Sequence, residues 1–188
     1  ERVMLNLIQR LSAISTKTNK IVKKAIKYGV KILDTRKTTP GLRMFEKYAV
    51  KVGGGHNHRM DLSSGIMIKD NHILAAGSIK KAINKIKTYS PEAKIELEVD
   101  YIGQIKEGLK NNVSGFLLDN MSPPKIKEAV KIIKKENKNI FIEASGGITQ
   151  KSIEAYLNTG INAISMGEIT HSIKNIDIKL EFIKKTIN

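Results

Sequence analysis

The sequence has no cysteine and no tryptophan, only four prolines, and aromatic residues at 5% of its 188 positions. Without cysteine, a disulfide scaffold and a thiolate-ligated zinc site are both excluded. No apolar run is long enough to span a bilayer, and Glu1-Arg2-Val3-Met4 lacks the basic-then-apolar layout of a secretory signal. A globular cytoplasmic protein is the resulting expectation. Acidic residues are scarce as well: 18 Asp and Glu stand against 33 Lys and Arg, a formal net charge of +15. Such an excess suits anionic partners. It consists mostly of lysines inside helix-like stretches such as Lys131-Ile132-Ile133-Lys134-Lys135. Arginine-rich clusters are absent and aromatics for base stacking are few, so a solvated lysine surface is favoured over a dedicated nucleic-acid face. Fourteen glycines are too few for a disordered chain, and 40% apolar residues can fill the core of one domain.

Residues 4–28 repeat apolar positions at helical spacing, from Leu5, Ile8, Leu11 and Ile14 to Ile21, Val22, Ala25 and Ile26. Ser15 to Asn19 interrupts the pattern, so two helices or one bent helix are expected, closed by Gly29. Short apolar runs follow at 31–34, 49–52, 66–68, 95–99, 115–118, 140–143 and 163–166, which gives seven candidate strands. Helical patterns separate most of them, at 41–47, 79–89, 102–111, 123–136 and 150–159. Ser122-Pro123-Pro124 is a good helix start, because serine can cap and proline suits the first turn. Strands alternating with helices indicate an α/β fold with a parallel sheet. The arrangement expected is an irregular or incomplete parallel β/α barrel of about seven strands. Residues 1–29 form a helical lead-in, 30–172 the barrel, and 173–188 a C-terminal helix. The glycine- and histidine-rich stretch between Val52 and Ile66 has no helical period and reads as a functional loop.

Polar residues gather where the strands end. Arg36 and Lys37 follow the first run, His58 and Arg59 follow Gly53-Gly54-Gly55, and Lys69 follows Ile68. Glu98 and Asp119 close the next two runs, and Ser145-Gly146-Gly147 and Gly167 close the last two. In a parallel β/α fold these positions share the face that carries active sites. The cations suit a multiply anionic ligand, the carboxylates a magnesium ion held partly through substrate phosphates, and the glycine turns a phosphate. A histidine-ligated metal is weakly supported, since His56 and His58 have only Asp61 as a nearby acidic companion.

Three segments carry a family resemblance: 34–43 (Asp34-Thr35-Arg36-Lys37-Thr38-Thr39-Pro40-Gly41-Leu42-Arg43), Lys51 to Gly55 with Asn57-His58-Arg59, and Ile68-Lys69-Asp70-Asn71-His72. Glu96 to Asp100, Leu117 to Asn120, Glu143 to Ile148 and Gly167 to Ser172 continue it in order. The chain resembles quinolinate phosphoribosyltransferase over nearly its whole length. The resemblance implies that quinolinate and phosphoribosyl pyrophosphate give nicotinate mononucleotide, pyrophosphate and CO2 in NAD biosynthesis, with Mg2+. It implies that Arg36, His58, Arg59 and Lys69 hold the quinolinate carboxylates, and that Lys37 assists toward the diphosphate. Glu98 and Asp119 would hold the ribose hydroxyls and Mg2+, and Ser145, Gly146, Gly167 and His171 the 5′-phosphate. Arg2 matches an arginine that reaches a neighbouring subunit's site, which implies a homodimer or higher homo-oligomer with shared sites. Members of the family carry a further N-terminal α/β domain that this chain lacks. Two other readings fit the same residues: a homologous fold with a different acceptor, and a non-catalytic anion- or nucleic-acid-binding domain.

Overall fold

The computed structural model describes residues 1–60 and 65–182. It opens with one helix, α1 (Arg2–Ala25), followed by a single 3-10 turn that ends at Gly29 in the left-handed region. The interruption expected at Ser15–Asn19 does not break α1. Its small residues are there for packing: a Cβ on Gly53 would stand 2.5 Å from the Ser15 carbonyl oxygen and 2.7 Å from Thr18 Cβ. The loop after the next helix therefore lies directly on α1, and bulk at either surface would separate them.

After α1 come β1 (Lys31–Leu33), α2 (Arg43–Val52), β2 (Ile66–Ile68), α3 (Asp70–Ala76), α4 (Ile79–Tyr89), β3 (Ile95–Val99) and α5 (Ile102–Lys110). Then follow β4 (Gly115–Asp119), α6 (Pro123–Glu136), β5 (Phe141–Ser145), α7 (Glu154–Leu157), β6 (Ala163–Ser165) and α8 (Glu168–His171). The six strands are all parallel, in the order β1-β6-β5-β4-β3-β2. Among the described residues no ladder joins β2 to the far side of β1, so the barrel is incomplete. No described helix is long and apolar enough to cross a membrane.

The strand expected at Ala49–Val52 is the last turn of α2. Glu46, Lys47, Ala49 and Val50 are buried there, a helical spacing, while Lys51 and Val52 face out. The seventh strand position is taken instead by His56, whose N–H donates to the Ile32 carbonyl at 2.8 Å and whose carbonyl accepts from Asp34 N–H at 3.1 Å. The three glycines thus turn the chain from α2 back onto the open edge of β1. Residues 173–182 contain no helix, contrary to expectation, and Gln9 of α1 donates to the Ile178 carbonyl at 3.2 Å. The rest of that expected helix, 183–188, lies outside the described residues, as does Asp61.

One core runs between sheet and helices. Phe116 on β4 is fully buried, and Gly108 of α5 has no side chain because a Cβ there would sit 2.6 Å from the Phe116 ring. Pro123 and Pro124 start α6 as expected, although the Ser122 hydroxyl makes no capping bond.

Candidate active site

Parallel strands with intervening helices bring every strand's C-terminal end to one face. At that face is a cavity of about 610 Å3. Of the residues singled out in the sequence, Arg36, Lys37, His58, Arg59, Lys69, Glu98, Asp119, Ser145, Gly146, Gly167 and His171 all line it. Arg2, in the first turn of α1, does not.

The loop after β1 is fixed from beneath by Asp34, which is fully buried. Its carboxylate accepts from the equally buried Lys47 ammonium of α2, from Asn57 Nδ2 at 2.6 Å and from His58 N–H at 2.8 Å. Lys47 also donates to the His58 carbonyl at 3.1 Å. Burial pushes the Asp34 pKa up, against the lowering effect of these donors. The pair ties the Arg36 loop and the His58-Arg59 loop to one helix. A second buried carboxylate, Glu46, accepts from Arg10 of α1 at 2.7 Å and from Thr39 N–H at 3.2 Å. Arg36 and Lys37 then project outward at the end of a loop secured at both ends. Thr170 completes the second tether, donating its hydroxyl to the Lys37 carbonyl at 2.8 Å.

Lys69 is ion-paired with Glu98 from the next strand. His58 faces two carboxylates that sequence reading passed over. Its Nε2 lies 3.3 Å from Glu143 Oε2 on β5 and 3.8 Å from Glu96 Oε2 on β3. The signal for Glu96 was available: in Ile95-Glu96-Leu97-Glu98-Val99 both acids alternate with buried residues, so both point to one side of the sheet. Glu143 is 1% exposed, and neither of its oxygens has a hydrogen bond of normal geometry. Burial, then the nearby charge of Glu143, raises the Glu96 pKa to about 7. For His58, burial alone would lower the pKa, but the hydrogen bond and charge of Glu143, with the charge of Glu96, carry it above its ordinary value.

The two carboxylates and the imidazole bring their ligand atoms within 4.8 Å of one another. They do not fit a metal. Arg59 N–H donates to His58 Nδ1 at 2.8 Å, so Nδ1 carries no proton and Nε2 must. A metal-ligating histidine has the opposite arrangement, donating from its free nitrogen. The cluster favours binding a proton, since the pKa of both Glu96 and His58 is raised.

The rest of the lining is built largely of main chain. Gly146 and Gly147 both have positive φ, 90° and 60°. A Cβ on Gly146 would fall 2.2 Å from Asn120 Oδ1, so only glycine lets the β5 turn lie against Asn120. Asn120 itself has φ 51° and donates its amide to Asp119 Oδ2 at 2.6 Å. A Cβ on Gly167 would meet the His171 ring at 2.8 Å. Glu168 accepts from Gln150 N–H at 2.7 Å and pairs with Lys17 of α1 at 3.0 Å, which holds the last two loops together. Asn120, Thr149 and Glu168 were not singled out in the sequence. They follow the recognised positions by one to four residues in loops whose shape no periodicity reveals.

Fold and site define a class: a parallel β/α-barrel protein with a cavity at its strand ends, lined by cationic side chains on one part and by main-chain turns on another. Residues 14–181 match the family model described as quinolinate phosphoribosyl transferase, C-terminal domain, and the chain belongs to that family. It is 48% identical over 182 residues to a probable nicotinate-nucleotide pyrophosphorylase [carboxylating] of Bacillus subtilis, covering 96% of this chain and 62% of that protein. It is 43% identical to the corresponding Methanocaldococcus jannaschii protein, covering 98% of this chain and 67% of that one. The crystal structure of a nicotinate-nucleotide pyrophosphorylase from Ehrlichia chaffeensis superposes with a TM-score of 0.89 at 44% identity, over 94% of this chain and 64% of that one. A Pyrococcus furiosus structure, 18% identical with a TM-score of 0.73, shares the fold. The chain thus spans about two thirds or less of the length of these relatives.

Proposed function

We propose that the protein transfers the phosphoribosyl group of phosphoribosyl pyrophosphate to quinolinate, with loss of CO2, giving nicotinate mononucleotide and pyrophosphate. The observation that carries this reading is the meeting of unlike groups in one cavity: Arg36, Arg59 and Lys69 together with the Ser145–Gly147 and Gly167 turns. A pyridine dicarboxylate needs several fixed cations, best supplied by arginine. A 5′-phosphate suits glycine turns with free N–H groups.

In this reading the ring nitrogen attacks C1 of the ribose as the C1–O bond to diphosphate breaks. Positive charge grows at C1, where the carboxylates of Glu98 and Asp119 favour it, and Lys37 balances the departing diphosphate. The C2–carboxylate bond then breaks, the alkylated ring accepts the electron pair, and a proton replaces CO2. Catalysis rests on positioning and electrostatics. Glu98 and Asp119 offer hard oxygen donors at neighbouring strand ends, a set that fits Mg2+. The ion would neutralise charge on the diphosphate. Lys69 is shared between Glu98 and the incoming dicarboxylate, so the two halves of the reaction meet at that ion pair. Arg2 reaching a neighbour's site within a homo-oligomer belongs to the same proposal.

The test is turnover of quinolinate, phosphoribosyl pyrophosphate and Mg2+, with nicotinate mononucleotide measured by chromatography. Arg36→Ala abolishes product while Lys134→Ala, which loses only a bond from α6 to the Gly160 carbonyl outside the cavity, leaves it nearly unchanged. Equal effects would contradict the site assignment. Product only with another acid acceptor would point to the different-acceptor reading.

A further inference from the structure

Three of the polar atoms of His58 are hydrogen-bonded. Its N–H and carbonyl are held by Asp34 and Lys47, and its Nδ1 accepts the Arg59 N–H at 2.8 Å. Its remaining group, Nε2–H, faces Glu143 at 3.3 Å, with Glu96 behind at 3.8 Å. Among the described residues the guanidinium of Arg59 contacts the Gly65 carbonyl at 3.5 Å and the Met67 sulfur at 3.6 Å. The main chain from which that guanidinium reaches the cavity is bonded to the imidazole. The imidazole points at Glu143, a buried carboxylate on β5 that has no hydrogen-bond donor among the described residues and lies within ion-pair distance of Nε2.

We propose that Glu143 is a positioning residue for the dicarboxylate subsite: through the ring of His58 it fixes the main chain at Arg59, and with it the place of the Arg59 guanidinium in the cavity. Glu143 acts by holding one ring orientation and one tautomer. A buried carboxylate on a cationic wall otherwise opposes an anionic ligand, so its presence calls for such a role. This inference rests on the proposed function for the identity of the ligand, but not for the relay itself.

The experiment separates the two. Nitrogen-15 NMR of the histidine ring reads the tautomer without any substrate, and calorimetry reads binding of pyridine-2,3-dicarboxylate and of phosphoribosyl pyrophosphate. Wild type and Glu143→Gln, which keeps an acceptor oxygen, show one Nε2–H tautomer. Glu143→Leu shows a mixture and binds the dicarboxylate at least tenfold more weakly, while phosphoribosyl pyrophosphate affinity changes less than threefold. His58→Phe, which fills the same space, gives the same selective loss, and adding Glu143→Gln to it costs nothing more. An unchanged tautomer in Glu143→Leu, or equal losses for both ligands, would overturn the proposal. So would intact dicarboxylate binding in His58→Phe, the deciding result should Glu143→Leu not fold. A wild type with the single tautomer but no dicarboxylate binding would sink the functional reading and leave the relay standing.

Discussion

On the β1–β3 side of the cavity the ligand-facing groups are long charged side chains, and each is anchored to a counter-charge or a tether beneath it: Asp34 with Lys47, Glu143 and Glu96 with His58, Glu98 with Lys69. On the β4–β6 side the groups are main-chain turns, and what shapes them is backbone conformation at Asn120, Gly146 and Gly147. The first wall is rigid because buried charges must stay paired. The second is rigid because only glycine fits. The two walls should accordingly fail in different ways: one to changes of charge and pH, the other to the addition of a single methyl group.

The largest effect belongs to the charged wall. Asp34→Ala leaves the Lys47 ammonium, 1% exposed, without its partner, and should cost about 3–5 kcal/mol in denaturant unfolding. The double variant Asp34→Ala, Lys47→Met should recover much of it. Next comes a pH effect on the same wall. The Glu96 pKa is raised from 4.5 to about 7, so the native state binds that proton more tightly than the unfolded chain. The stability this supplies is present below pH 4.5 and is lost as pH rises through about 7. Glu96→Gln escapes the loss: its stability should equal that of wild type below pH 4.5 and exceed it above pH 8 by roughly 3 kcal/mol. A pH-independent difference would refute the shift. The backbone wall responds to Gly146→Ala, where φ is 90° and the methyl group meets Asn120. A cost of about 1–3 kcal/mol is expected, with no pH dependence. Smallest is Thr170→Val, which removes the hydroxyl bonded to the Lys37 carbonyl and should cost about 1 kcal/mol.

The same division governed what the sequence revealed. Charged residues after apolar runs were legible, because in a parallel fold strand ends share a face. Glu143 below them was not, because it lies within an apolar run and the imidazole that it faces comes from a distant loop. Gly146 announced a turn, but that it closes against Asn120 depends on two loops meeting. Six strands were legible from apolar runs. The seventh was misplaced, since four residues, Ala49 to Val52, cannot separate a period of 2 from the end of a 3.6-residue helix. The pause in α1 was real in composition, but its cause is contact with Gly53, far along the chain. Ile173 to Phe182 has helical spacing yet no helix, and a bond to Gln9 holds this segment along α1 instead.

The most direct test is a crossed binding measurement: pyridine-2,3-dicarboxylate and ribose 5-phosphate, each titrated calorimetrically into Arg36→Ala and Gly146→Ala. Two separately built walls predict that Arg36→Ala loses the dicarboxylate by more than tenfold and keeps the phosphate ligand within threefold, and that Gly146→Ala does the reverse. Parallel losses of both ligands in either variant would contradict the account.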